Sequence, residues 1–214
     1  GTISKYRLEK LSFGDLPGFT RSVLERDHAV ITPESRVYSP MPEWQNSTGA
    51  FLVTPHIGAH FSMAIVNMDA NSLSAPLIDG AERFIFLLNG TIFVSGGAGQ
   101  IRLQTAGEFA YFPSGSTGFI RSEHGANLLL FERIYMPHSR ASEYPKFLAG
   151  KTEDLPNIET RGEVFRLKKL LPTSLAFDFN IHVMDFQPGE HLSVRELHYN
   201  QHGMIILQGR GLQR

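Results

Sequence analysis

The chain has 214 residues, 42% hydrophobic and 11% aromatic, enough for one large domain or two small ones with a sizeable core. Twenty Lys and Arg against 21 Asp and Glu give a formal charge of −1, so no global field draws it to nucleic acid or an acidic membrane, and no apolar run is long enough to span one. The absence of Cys excludes disulfides, thiolate metal sites, iron–sulfur clusters and a Cys nucleophile.

Twenty Gly, twelve Pro and sixteen Phe predict short strands and turns rather than long helices. Residues 1–45 read as an irregular segment packed on the body, broken by Pro33, Pro40 and Pro42 and anchored by Trp44. Residues 51–54 read as a strand stopped by Pro55, and 61–68 as a second strand. The apolar run 84–88, then Asn89-Gly90, then 91–95, has the form of a β-hairpin. Runs at 109–112 and 128–131 complete a first antiparallel barrel or jelly roll over residues 46–137. Residues 138–176 read as a linker with short helices at 143–148 and 164–171, punctuated by Pro156 and Pro172. Strand signals resume at 177–186 and 204–207, the start of a second barrel over 177–214.

An internal repeat supports this division. An offset of 119 positions places Arg83 under His202, residues 84–90 under 203–209, and 61–68 under 180–187. The expected fold is all-β, two antiparallel jelly-roll barrels in tandem. The second copy would run past Arg214, so that barrel is expected to be incomplete in this chain.

The residues that stand out chemically are Glu196, His198 and His202. On a strand Glu196 and His198 share a face, and a turn at Asn200-Gln201 would return His202 toward them. One carboxylate and two imidazoles suit Mn, Fe, Ni, Co or Zn; the plainer alternative is three polar residues on a solvated sheet face. Other candidates read more simply. His56 and His60 are loop residues, and Lys168-Lys169 is a solvated charge pair. Asp178 and Asp185 would face opposite sides of one strand, with Asp178 capping a turn. His182 and His191 would pack in the core or rim.

Gly189, Glu196-x-His198, His202 and Gly209 resemble the first motif of the cupin superfamily, with Glu and His exchanged at the outer ligand positions, and Gly107, Pro113 and Gly115 resemble its second motif in the first copy. This resemblance implies that the first copy's ligand positions hold Leu77, Asp79, Arg83 and Gly118, a metal-free barrel without one His ligand. Residues 28–33, 42–44, 162–165, 169–172, 177–182, 185–189 and 196–203 together are very similar to (S)-ureidoglycine aminohydrolases, above all those of plants. That resemblance implies a manganese-dependent bicupin that converts (S)-ureidoglycine and water to (S)-ureidoglycolate and ammonia in purine and allantoin catabolism. It further implies that Glu196, His198 and His202 bind Mn²⁺, that Glu196 also orients substrate or moves a proton, and that a fourth ligand, a Gln, lies beyond Arg214. Gln213 stands where plant members carry an aromatic residue and is a candidate substrate contact. The implied partners are the small-molecule substrate and further copies of the chain, with neither nucleic acid nor membrane. The implied compartment is the endoplasmic reticulum lumen for a plant-type member and the cytoplasm for a bacterial one. The rival classes are a non-enzymatic bicupin binding protein and a metal-dependent cupin dioxygenase or isomerase.

Overall fold

A computed structural model of the chain describes residues 35–53, 61–158 and 165–186, together with the backbone at 23–24 and 29–30. The chain divides into two compact units, residues 1–37 and 38–214. In the first, β1 (Val23–Leu24) pairs antiparallel with β2 (Ala29–Val30).

The second unit holds a ten-stranded sheet: β3 (Ser39–Pro40), β4 (Gln45–Val53), β5 (Phe61–Leu73), β6 (Ala81–Gly90), β7 (Ile92–Gly97), β8 (Gly99–Leu103), β9 (Glu108–Phe112), β10 (Phe119–Ser122), β11 (Ala126–Ile134) and β12 (Leu148–Lys151). Hydrogen bonding runs in the order β12-β9-β6-β11-β5-β10-β7-β8, with β4 on β5 and β3 on β4, and every pair is antiparallel. The long strand β5 makes the sheet curl. Its first half lies between β4 and β11, and its far end, Ser72 and Leu73, pairs with β10.

Two-residue alternation sorts the side chains into two cores. The barrel interior takes Val66 and Met68 of β5, Ile85 and Leu87 of β6, Ile92 and Val94 of β7, Ile120 of β10, and Leu128 and Leu130 of β11. Trp44 is buried in this interior. The opposite face of the same strands presents Ile65, Phe84, Phe86, Phe109, Tyr111 and Leu129. In a sandwich that face would meet solvent; here Leu170, Leu171, Phe177 and Phe179 cover it. Strand β6 is therefore buried on both faces, which explains why it reads as a nearly unbroken apolar run.

Two expectations are corrected. Residues 84–88 and 91–95 are consecutive strands but not a hairpin: β6 pairs with β9 and β11, and β7 with β8 and β10. Gly90, at φ +83°, turns the chain from one half of the sheet to the other where β11 begins. A Cβ there would strike the carbonyl oxygen of Gly125 and lie 2.6 Å from Ala126 Cα. The helices expected at 143–148 and 164–171 are likewise not formed. Residues 143–147 are irregular and Leu148–Lys151 is β12, followed by a single 3₁₀ turn at Thr152–Asp154. Phe165–Lys169 is β13, paired antiparallel with β14 (His182–Phe186). Pairing with β14 supplies hydrogen bonds that override a helix-compatible composition.

The β13–β14 pair bears on the repeat. Shifted back by 119 positions, Phe165 opposite Phe186 becomes Asn46 opposite Asn67, and in the first barrel Asn67 lies opposite Thr48. The second hairpin is thus the counterpart of β4–β5, its register displaced by two residues, a shift that preserves which face each side chain occupies. The repeat's other block, residues 203–209, lies outside the described residues.

Candidate functional site

Near the start of β6, two adjacent charges, Glu82 and Arg83, point to opposite faces and are 0% and 2% exposed. Strand β11 answers them in register, with Glu132 opposite Arg83 and Arg133 opposite Glu82. Antiparallel pairing of one Glu-Arg dipeptide with another places one ion pair on each side of the sheet.

Inside the barrel, the Arg83 guanidinium lies 3.5 Å from the Glu132 carboxylate and donates to the Ala75 carbonyl at 3.0 Å. It also stacks over the Trp44 ring at 5.4 Å. Burial lowers the Arg83 pKa and the carboxylate opposes that shift; burial raises the Glu132 pKa and the guanidinium pulls it back. This is the position that the cupin resemblance assigns to a metal ligand. Of the other positions in that set, Leu77 packs against the barrel core, Asp79 is exposed, and Gly118 lies hard against β7. A Cβ on Gly118 would meet the Ser95 carbonyl oxygen and sit 2.9 Å from both Gly96 Cα and Phe112 Cδ1, leaving no room for an imidazole. Among the described residues no group of three or more His, Asp and Glu side chains is placed to hold a metal.

On the outer face, Glu82 accepts a hydrogen bond from the Tyr111 hydroxyl at 2.6 Å. Arg133 bridges two carboxylates, its Nε 3.7 Å from Glu82 Oε1 and a terminal nitrogen 3.4 Å from Asp178 Oδ2. That same Asp178 oxygen accepts the Met136 N–H at 2.8 Å, and the Tyr135 hydroxyl donates to the Ala176 carbonyl at 2.8 Å. Phe177 packs edge-on against Tyr111, and Phe179 lies under the Arg133 guanidinium. Desolvation pushes the Glu82 carboxyl up to about 9, aided by its contact with Asp178 and opposed by the Tyr111 hydrogen bond. Burial and the Glu82 contact push the Tyr111 phenol up as well, so it remains a donor. Beside the cluster a pocket of about 460 Å³ is lined by Arg133, Met136, His138, Leu175, Phe177 and Asp178, among others.

The expected metal ligands Glu196, His198 and His202 lie outside the described residues, as do Gln213, His56, His60 and His191. His182 stands exposed at the start of β14. Lys168 is not simply solvated: it is half-buried, and its ammonium donates to the Thr152 carbonyl at 3.0 Å. Asp178 does not share a strand with Asp185, and the N–H it accepts comes from a segment 42 positions away. No sequence motif announces the outer-face cluster. Its one signal was Glu82-Arg83 inside an apolar strand, since two adjacent buried charges require a partner on each face.

No family model matches the chain. A protein of Oryza sativa subsp. japonica named "Probable (S)-ureidoglycine aminohydrolase" is 50% identical over 94% of this chain and 64% of its own length. The (S)-ureidoglycine aminohydrolase of Arabidopsis thaliana is 47% identical over 94% of this chain and 66% of its own. The chain therefore spans just under two-thirds of the length of these relatives. The crystal structure of protein Ylba from Escherichia coli superposes with a TM-score of 0.70 at 26% identity, covering 86% of this chain and 72% of that one. The all-β antiparallel architecture expected from the sequence is observed in the described residues. Along 94% of its length the chain is thus similar to (S)-ureidoglycine aminohydrolases, and its described part is built around a curled antiparallel sheet.

Proposed function

We propose that this chain carries the manganese-dependent hydrolysis of (S)-ureidoglycine to (S)-ureidoglycolate and ammonia. The observation that carries the reading is the 47–50% identity to plant relatives of that name along 94% of the chain. In this reaction the bond from carbon to the amine breaks, water supplies the new hydroxyl, and ammonia leaves. Glu196, His198 and His202 would hold the ion, and one carboxylate with two imidazoles is a donor set that fits a divalent cation of borderline-to-hard character such as Mn²⁺. A bound ion would act as Lewis acid and template for a substrate that presents a carboxylate and an amine. Beyond ligation, Glu196 would orient the substrate or move a proton at the departing amine, and Gln213 would contact the substrate. The filled interior of the first barrel, with a guanidinium at the ligand position, supports a metal in the second barrel alone. The same reading carries a homo-oligomeric assembly and, for a plant-type protein, the endoplasmic reticulum lumen.

The test is ammonia release from freshly generated (S)-ureidoglycine, with metal content measured on the same sample. His202→Ala is expected to lose metal and ammonia release together, while His60→Ala keeps both. Full activity in His202→Ala would overturn the ligand assignment. Oxygen uptake without ammonia release would point instead to a cupin dioxygenase.

A further inference from the structure

The outer-face cluster poses an accounting problem. Glu82 has one oxygen satisfied by Tyr111, and Asp178 has one satisfied by Met136 N–H and Arg133. The remaining oxygen of each, Glu82 Oε1 and Asp178 Oδ1, is buried without a hydrogen-bond partner, as is Arg133 Nε. Two ionised carboxylates beside one guanidinium would leave a net negative charge on buried oxygens packed among Tyr111, Phe177 and Phe179. A single proton removes both difficulties: a protonated Glu82 becomes a donor that Asp178 can accept, and the cluster becomes neutral.

We propose that Glu82 and Asp178 share one proton and form a proton-operated clasp tying the outer face of the first barrel to the segment leading into β14. Among the described residues, the titratable or charged groups around the pair are Tyr111 from β9, Arg133 from β11, Tyr135 just beyond it and, in the pocket beside the cluster, His138. Tyr111, its phenol pushed up by burial, remains a donor, so the clasp responds to Glu82. The carboxyl is raised from its ordinary value of 4.5 to about 9. An acid with a raised pKa binds its proton in the closed state and releases it on opening, so closure is strongest below about 4.5 and weakens steadily up to about 9. Above that pH both states are ionised and the dependence on this group ends.

Two measurements on the intact chain test the clasp. Infrared spectroscopy at pH 7 should show the carbonyl band of a buried un-ionised carboxyl, and Glu82→Gln should remove it. Hydrogen exchange at the Met136, Leu170 and Phe177 amides, corrected for intrinsic rate, should report an opening equilibrium that grows about tenfold per pH unit between pH 5 and 9 and then levels off. In Glu82→Gln, whose amide can donate to Asp178 at every pH, that dependence should be flat. If this variant does not fold, Asp178→Asn serves, because its amide donates to an ionised Glu82 and should abolish the same band. Absence of the band in the unaltered chain, or an unchanged exchange slope in Glu82→Gln, would overturn the proposal.

Discussion

Arg83 shows how a single side chain closes the first barrel. Its guanidinium touches Trp44, the Ala75 carbonyl and Glu132, and Glu132 is itself mostly buried. Arg83→Ala would leave that carboxylate without a counter-charge and is expected to destabilise the chain by about 3–5 kcal/mol, measured by urea unfolding. Trp44 is the sole tryptophan, so its fluorescence will report the loss of the stacked cation directly. Much of this site could be read from the sequence, because the repeat aligned Arg83 with a candidate ligand and Trp44 stood out as an anchor. Glu132 could not, since only the register of β6 on β11 identifies it as the partner. The Glu82–Asp178 contact was harder still: it joins residues 96 positions apart, on a strand and on an irregular segment, and no local pattern links them.

Strand identities followed from short apolar runs, which is why β5, β6, β9 and β11 were anticipated. Pairing was not, because a turn signal is local while the occupants of a strand's edges are decided by distant chain. Asn89-Gly90 has hairpin chemistry, yet both edges of β6 are taken by β9 and β11. Gly90 remains indispensable at its corner for a different reason. Gly90→Ala must adopt a positive φ and clash with the 125–126 backbone, so it is expected to cost more than about 1 kcal/mol, read as a lowered urea midpoint with an unchanged slope. The misread helix at 164–171 has a similar origin: Arg166 and Lys168 alternate with Leu167, a two-residue period that is decisive only once β14 is there to pair with.

At the scale of the molecule, the aromatic outer face and the segment over it make one body of the first barrel and the start of the second repeat. Leu171 is 2% exposed within this second core. Leu171→Ala is expected to cost about 2–5 kcal/mol, and limited proteolysis should then cut within 170–181 before it cuts the barrel. Such early cleavage would show that burial on the outer face, rather than the β13–β14 ladder alone, holds the segment in place.

The position of β11 has a consequence for how the chain acquires its structure. Phe61 pairs with Arg133, 72 positions away, and β11 fills the slot between β5 and β6. During synthesis both of those strands are made well before their shared neighbour. Until residues 126–134 emerge, each presents a bare edge, and β6 also presents Phe84 and Phe86. Closing so long a loop precedes any gain in contacts, which places refolding in the millisecond-to-second range expected for non-local β topologies rather than the microseconds of helical bundles. The interval before β11 docks is when the nascent chain is most exposed to misassociation, and the stage at which a chaperone would raise its yield most.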